Sequence, residues 1–192
     1  SPAWSPDGQR LVFISAESGT PDVWIINRDG GGLRNLTSNS TPESSPSFSP
    51  DGMRILFASD MDSPGFAEIY EYDLQTSQTT RLTDEGGSNY APAYSPDGSK
   101  IVFVSTQNGD SDLYIMDANG QRKFLLTVDD ASAEDRAPVF TPDGASIVFL
   151  STRAGRYQPY LYNLRSAAVT ALTISENEVQ SITFNPTITV PR

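Results

Sequence analysis

Ser95-Pro96-Asp97-Gly98 is one of four copies of a short sequence that recurs along the chain. The other copies are Ser5-Pro6-Asp7-Gly8, Ser49-Pro50-Asp51-Gly52 and Thr141-Pro142-Asp143-Gly144, and the copies lie 44 to 46 residues apart. Proline fixes φ at the second position of a β-turn, the hydroxyl before it can bond the turn backbone, and glycine adopts the left-handed conformation at the end. Each copy is therefore predicted to be a hairpin turn. A period near 45 residues is typical of repeat architectures in which each unit is one supersecondary element.

The segments around each turn predict buried strands. An aromatic residue stands directly before every turn, and a short apolar run follows at residues 11–15, 55–59, 101–105 and 147–151. A strand with one wet face alternates apolar and polar residues, and these runs do not alternate. Each run must therefore be buried on both faces. The aromatic residues are Trp4, Phe48, Tyr94, Phe140 and, before a weaker fifth copy at Asn185-Pro186-Thr187, Phe184.

The rest of each repeat predicts two further strands. A third strand with an aromatic residue is expected at residues 22–26, 68–72, 112–116 and 159–162, and a second turn follows it. A fourth strand is expected to close each unit with a Leu-Thr pair: Leu36-Thr37, Leu82-Thr83, Leu126-Thr127 and Leu172-Thr173. Four antiparallel strands covered on both faces form a propeller blade, so the predicted fold is an all-β propeller of four blades and the degenerate start of a fifth.

This pattern resembles the WD40-like β-propeller repeat of TolB, which also occurs in prolyl-oligopeptidase-type and tricorn peptidases. The resemblance covers residues 1 to about 173 and predicts blades at 1–44, 45–90, 91–136 and 137–180, with 181–192 as a closing strand or the start of another blade. Propellers of this family more usually carry six or more blades. The four blades are expected either to close a small ring or to be part of a larger propeller, completed by further blades or by another chain. The resemblance implies an extracytoplasmic setting, periplasmic or on the cell surface.

Composition restricts the function. The formal net charge is −11 and the isoelectric point is near 4.3, which argues against a nucleic-acid partner because phosphate binding needs clustered Lys and Arg. No run is long enough to span a membrane. The sequence has no Cys and no His, so a Ser-His-Asp triad and a histidine zinc site are excluded. These features favour a noncatalytic domain without a cofactor.

Loop placement predicts the binding surface. In an antiparallel blade the second-to-third-strand loops and the between-blade loops emerge on one face, which is variable in sequence and mostly acidic, and the repeated turns emerge on the other. Binding residues usually lie in loops on a rigid scaffold. We therefore predict that the variable face binds a protein or peptide. The candidates, all expected just before innermost strands, are Glu43, Asn89, Tyr90, Glu134, Asp135 and Arg136.

Three alternatives remain open at this point. Asp110 and Asp112 in Asn108-Gly109-Asp110-Ser111-Asp112 place oxygen atoms on alternate residues, as calcium sites do, but Asp112 has counterparts in Asp22 and Glu68 that indicate a strand-end hydrogen bond instead. A second alternative is a substrate-gating propeller of a peptidase. A third is a propeller lyase or glycosidase, which would need Glu43, Glu134 and Asp135 to converge around the channel.

Overall fold

A computed structural model describes residues 2–127 and 133–172, and this part of the chain contains sixteen β-strands and no helix. The first eight strands are β1 Ala3–Trp4, β2 Arg10–Ser15, β3 Asp22–Asn27, β4 Arg34–Asn35, β5 Glu43–Phe48, β6 Arg54–Ser59, β7 Glu68–Asp73 and β8 Thr79–Arg81. The remaining strands are β9 Asn89–Tyr94, β10 Lys100–Ser105, β11 Asp112–Asp117, β12 Phe124–Leu125, β13 Asp135–Phe140, β14 Ser146–Ser151, β15 Gln158–Asn163 and β16 Val169–Ala171.

The strands form four antiparallel sheets of four strands each, in chain order: β1–β4, β5–β8, β9–β12 and β13–β16. We call these sheets blades 1 to 4. The first strand of each later blade lies against the preceding sheet, since β5 contacts β1, β2 and β3, β9 contacts β5, β6 and β7, and β13 contacts β9, β10 and β11. Successive sheets therefore pack face to face, as propeller blades do. The predicted all-β propeller fold is confirmed, and the predicted strand at 181–192 lies outside the described residues.

The second strands are buried on both faces, as their unbroken apolar runs predict. Ile55 and Phe57 of β6 pack into a cluster with Val12 of blade 1. Leu56 and Ala58 of the same strand pack into a different cluster, which contains residues of blade 3. All four side chains are at most 1% exposed. Alternate residues of one strand thus fill the two neighbouring blade interfaces, and this arrangement leaves no polar position in the run.

The outward face of blade 1 differs from its counterparts. Leu11 and Phe13 are only half-buried, whereas the residues at the same repeat positions in blade 2, Ile55 and Phe57, are fully buried. Trp24 and Ile26 on the neighbouring strand are half-buried as well. In the described residues this face has no preceding blade against it. That the chain is a single propeller domain or part of a larger propeller remains a prediction.

Hydrogen bonds define the geometry of the repeated turns. In the third copy, Ser95 Oγ donates to Asp97 Oδ1 at 2.6 Å and accepts from the Lys100 N–H at 2.9 Å. The Gly98 N–H donates to the Ser95 carbonyl at 2.8 Å, and glycine has φ of +71°. The other glycines of the repeat have φ between +65° and +70°. Left-handed backbone at this position favours glycine, because a Cβ would come too close to the following carbonyl oxygen, at a cost of about 1–2 kcal/mol.

The innermost strands carry a bulge at the same place. The pairing with the second strand shifts beside Pro46, Pro92 and Pro138, and the residue before each proline has φ between +51° and +53°. Proline cannot donate a ladder hydrogen bond, so it fits an edge strand at a bulge. These strands begin at residues 43, 89 and 135. The predicted blade divisions before residues 45, 91 and 137 therefore differ from the observed strand starts by two residues.

The Leu-Thr pairs lie directly after the fourth strands rather than within them. β4 ends at Asn35, yet the Leu36 N–H still donates to the Val23 carbonyl at 2.8 Å. The threonine then accepts from the Val23 N–H through its hydroxyl oxygen at 2.9 Å. A side chain thus replaces the backbone acceptor at the end of the ladder, which is why the strand ends earlier than predicted. Thr173 of the fourth pair lies outside the described residues.

Candidate binding face

Two groups of connections lie at opposite ends of the blades. We call the end that carries the second-to-third-strand loops and the between-blade loops the loop face, and the end that carries the repeated turns the turn face. On the loop face, Thr20 Oγ1 donates to the Asn39 carbonyl at 2.9 Å, which joins the two kinds of loop. On the turn face, the Arg28 N–H donates to the Gln9 carbonyl at 2.8 Å. The loops therefore lie as strand alternation requires.

Three of the six predicted binding residues are buried. Glu43, Asn89 and Asp135 occupy the first position of β5, β9 and β13, and their exposed fractions are 3%, 1% and 1%. Each lies at the interface between two blades and bonds to polar side chains there. The side chains of these three residues are therefore engaged within the blade junctions, and their role in binding a partner remains a prediction. The sequence pattern alone does not distinguish the last loop residue from the first strand residue.

The buried polar residues form what we call a threonine clasp at each blade junction. At the first junction, Thr37 Oγ1 accepts from the Val23 N–H and donates to Glu43 Oε2 at 2.7 Å, while Asn39 Nδ2 and Ser59 Oγ donate to Glu43 Oε1 at 2.8 and 3.0 Å. Burial raises the pKa of Glu43, and the three donated hydrogen bonds counteract this shift. The clasp ties the end of one blade to the start of the next.

The same clasp recurs with different acids. At the second junction Thr83 Oγ1 and Asn89 Nδ2 both donate to Glu68 Oε2, at 2.5 and 2.9 Å, and Arg81 pairs with the other oxygen at 2.9 Å. At the third junction Asp135 bonds to Thr127 and pairs with Arg153 at 3.2 Å. Burial raises the pKa of Asp135, although its hydrogen bonds and the Arg153 charge oppose the shift. The three acids are structural groups of the blade junctions.

The other three predicted residues meet on the loop face at the junction of blades 3 and 4. The Arg136 guanidinium carbon lies 3.5 Å from the centre of the Tyr157 ring, within range of a strong cation–π contact. The Tyr157 hydroxyl donates to Glu134 Oε2 at 2.6 Å, and Tyr90 bonds to Ser111 at 2.8 Å between their hydroxyl oxygens. We call Tyr90, Glu134, Arg136 and Tyr157 the junction cluster. Glu134 is exposed, and the two tyrosines and the arginine are half-buried.

Electrostatics link the members of the junction cluster. The pKa of Tyr157 is raised to about 12, first by burial and then by its hydrogen bond to Glu134 and the charge of that carboxylate. Arg136 opposes the shift, and Tyr90 is near enough to add to it. Tyr157 was missed in the sequence because no other second-to-third-strand loop has a tyrosine at this place. The sequence feature that could have indicated Tyr157 as a binding residue is its aromatic side chain in an otherwise polar loop.

The loop face carries mostly acidic side chains in the described residues. Four further acids of the predicted acidic face lie outside that part: Asp129, Asp130, Glu176 and Glu178. Glu85 pairs with Lys123 at 2.7 Å, and Asp62 accepts from the Tyr70 hydroxyl at 3.0 Å. The remaining described acids of this face are exposed or half-exposed: Glu17, Asp60, Asp84 and Asp110.

The candidate calcium ligands are separated by burial. Asp112 is 6% exposed and accepts from Asn108 Nδ2 at 3.5 Å, whereas Asp110 is half-exposed. Asp22, the counterpart of Asp112 in blade 1, is buried and accepts from Asn35 Nδ2 at 2.7 Å. This is the strand-end hydrogen bond that the repetition indicates. Residues 2–127 and 133–172 contain no group of three or more metal-binding side chains, and no helix there could cross a membrane. Calcium binding at Asp110 and Asp112 remains an untested prediction.

The sheets and their packing define a β-propeller protein built from tandem blades. A family model described as the TolB beta propeller domain matches residues 1–90 and 63–189, so the chain belongs to that family. Among solved structures, the chain is similar to a putative TolB from Agrobacterium tumefaciens, with 28% identity and a TM-score of 0.80, and to TolB from Acinetobacter baumannii, with 29% identity and a TM-score of 0.72. It covers 64% and 42% of those chains, which cover 90% and 87% of this one.

A curated relative from the same family matches a shorter part of the chain. The Tol-Pal system protein TolB of Anaeromyxobacter dehalogenans (strain 2CP-1 / ATCC BAA-258) is 42% identical over 43 residues, which are 22% of this chain and 10% of the relative. Two enzymes share the fold alone: a Mycobacterium tuberculosis puromycin-hydrolyzing peptidase at 15% identity and an oligogalacturonate lyase at 14%. The chain therefore spans only part of the proteins that it resembles.

Proposed function

We propose that this domain is a noncatalytic binding module that engages a protein or peptide through its loop face. The observation that carries the proposal is the junction cluster, in which a tyrosine ring and a guanidinium stack at 3.5 Å on the surface of a rigid blade interface. Tyrosine and arginine are enriched among the residues that dominate binding energy at protein interfaces. The hydrogen bond from Tyr157 to Glu134 holds the ring in place before a partner arrives, which lowers the entropy cost of binding.

The relatives support a protein partner. The curated relative is named as a protein of the Tol-Pal system, and two solved neighbours are TolB proteins. We extend this assignment to the present chain: its partner is a Tol-Pal system protein, and its setting is extracytoplasmic, in the periplasm. The acidic loop face favours the approach of a partner with a basic surface.

The peptidase and lyase alternatives have no separate observation in their favour. The lyase alternative needs three acids to converge, but Glu43 and Asp135 are buried in different clasps and Glu134 is exposed beside Tyr157. The gating alternative depends on a likeness at 15% identity, which establishes a shared fold alone. The binding role is therefore the function that the geometry supports best.

The experiment measures affinity by calorimetry for purified Tol-Pal system proteins of the source organism. We expect Tyr157→Ala and Arg136→Ala each to weaken the strongest interaction by about 10-fold or more, as loss of an interface anchor does. The matched control is Phe66→Ala, because Phe66 is an aromatic residue of the equivalent loop in blade 2 that is 55% exposed. This control should change the affinity less than about 2-fold. Equal losses in all three variants, or no binding by the unaltered chain, would overturn the proposal.

A further inference from the structure

The turn face contains a small niche between the repeated turns of neighbouring blades. In each niche the glycine of the later turn lies beside the proline of the earlier turn: a Cβ on Gly52 would be 3.5 Å from Pro6 Cδ, and a Cβ on Gly144 would be 3.6 Å from Pro96 Cδ. Each niche has three repeated elements, namely a basic residue at the start of a second strand, the aromatic residue before the next turn, and the next turn glycine. They are Arg10, Phe48 and Gly52 in niche 1; Arg54, Tyr94 and Gly98 in niche 2; and Lys100, Phe140 and Gly144 in niche 3.

Niche 1 is filled by the protein's own guanidinium. Arg10 Nη2 donates to the Gly52 carbonyl at 2.8 Å, and the Arg10 guanidinium carbon lies 5.7 Å from the centre of the Phe48 ring. The residue paired with Arg10 on the third strand is Asn27, which is uncharged. Because no carboxylate stands opposite it, Arg10 reaches across the blade junction. Niche 1 therefore shows how these turn and aromatic groups hold a guanidinium.

Niche 2 is occupied by a different ion network. Arg54 lies 3.6 Å from Glu71 and 3.7 Å from Asp51, and the Tyr94 hydroxyl donates to Glu71. A cavity of about 340 Å³ is present here, but Arg54 itself lines it together with Tyr94 and the flanking turns. The carboxylates of this niche already have a cation, which disfavours a second one.

Niche 3 has the same three repeated elements as niche 1, but no guanidinium of the described residues fills it. The residue paired with Lys100 on the third strand is Asp117, and Lys100 Nζ bonds to Asp117 Oδ1 at 2.6 Å. This contact turns the lysine toward its own blade. A cavity of about 200 Å³ remains, lined by Phe140, Gly144 and Leu164 among others. Within residues 2–127 and 133–172, no hydrogen bond to the Gly144 carbonyl oxygen is found.

The charges at niche 3 favour a cation. Asp97 and Asp143 line the cavity, and hydrogen bonds from the turn hydroxyls lower the pKa of both, that of Asp97 to about 2. Both carboxylates are therefore ionised at neutral pH. Lys100 is the basic residue of the lining, and its charge is paired with Asp117. The apolar wall of Phe140 and Leu164 suits the aliphatic stem of a long basic side chain.

We propose that niche 3 is a binding site for an arginine side chain of a protein or peptide partner. The guanidinium donates to the Gly144 carbonyl and to the carboxylates of Asp97 and Asp143, and its stem packs on Phe140 and Leu164. The arrangement reproduces the internal Arg10 contact of niche 1. A planar fork of several donors suits a carbonyl beside carboxylates better than a compact ammonium does. This site is on the opposite face from the junction cluster and does not depend on the function proposed there.

The test uses N-acetyl-arginine methylamide as the probe and records amide chemical shifts of the chain by NMR. We expect saturable shifts confined to the residues of niche 3, namely Asp97, Phe140, Asp143, Gly144 and Leu164, and weaker shifts with the matching lysine probe. The double variant Lys100→Arg with Asp117→Asn recreates the Arg10 and Asn27 pair, so its own guanidinium should fill niche 3 and reduce probe affinity by about 10-fold or more.

A reciprocal variant and a charge control complete the test. Arg10→Lys with Asn27→Asp recreates the pair of niche 3 and should produce new shifts at Gly52. Asp73→Asn makes the same change of charge at the equivalent strand position of blade 2 and should leave the shifts at Gly144 unchanged. Three results would each overturn the proposal. The probe could shift residues all over the acidic surface, or it could bind the Lys100→Arg/Asp117→Asn variant as tightly as the unaltered chain. The third is that Asp73→Asn reduces probe affinity as much as that double variant does. Tyr157→Ala, on the loop face, should have no effect on these shifts.

Discussion

Thr37→Val tests the role of the threonine clasp in joining two blades. The substitution keeps the shape of the side chain but removes a hydroxyl that accepts from the buried Val23 N–H at 2.9 Å and donates to Glu43 Oε2 at 2.7 Å. An unsatisfied buried N–H costs about 1–3 kcal/mol, and a hydrogen bond to a charged group contributes about 1.5–3 kcal/mol. Glu43 keeps its bonds from Asn39 and Ser59, so we expect a combined loss of about 2–4 kcal/mol in unfolding free energy.

Urea unfolding followed by circular dichroism measures this loss. The control is Thr80→Val on the exposed part of β8, where the change should stay within about 0.5 kcal/mol. A double-mutant cycle with Glu43→Gln then isolates the coupling of the two side chains, and residues in one hydrogen-bond network couple by about 0.5–3 kcal/mol. If Thr37→Val cost no more than the control, or if the two changes were additive, the clasp would not stabilise the blade junction as argued.

Three further predictions concern the turns and the blade packing. The folded state lowers the pKa of Asp97 from 3.8 to about 2. The contribution of Asp97 to the free energy of unfolding is therefore complete above pH 3.8 and is lost as the pH falls toward 2. Asp97→Asn should flatten the decline of the urea midpoint over this pH range. Gly52→Ala should cost about 1–2 kcal/mol because φ is +70°, whereas Gly86→Ala, at a glycine without positive φ, should be nearly neutral. Phe57→Ala should cost about 3–5 kcal/mol by calorimetry and Phe13→Ala, at the same repeat position in half-buried blade 1, clearly less.

The repeat made the fold predictable from the sequence. Four turn copies and four unbroken apolar runs were enough to predict blades, because a run such as residues 55–59 leaves no polar face for solvent. The structure confirms the fold, and the family match confirms the resemblance to TolB propellers. Strand ends were less predictable. Bulges beside the inner prolines and the threonine hydroxyl at the end of the ladder in blades 1 to 3 depend on three-dimensional pairing rather than on local pattern.

The candidate surface was only partly predictable. Glu43, Asn89 and Asp135 look like loop residues in the sequence, and only the packing of the next blade shows that they are buried. Tyr157 became visible as a partner of Arg136 once β13 and β15 were placed in one sheet. The difference between Arg10 and Lys100 depends on the residue across the strand pair, Asn27 or Asp117, which the repeat pattern does not reveal.

The most direct test of the binding role is hydrogen exchange of the chain with and without its tightest-binding Tol-Pal system protein. We predict that protection appears on the loop face, in residues 133–136 and 152–157 around the junction cluster, and that it is lost in Tyr157→Ala. The repeated turns at residues 49–52 and 5–8 serve as an internal reference and should exchange at the same rate in both samples. Protection restricted to the turn face, with residues 133–136 and 152–157 unchanged, would contradict the account.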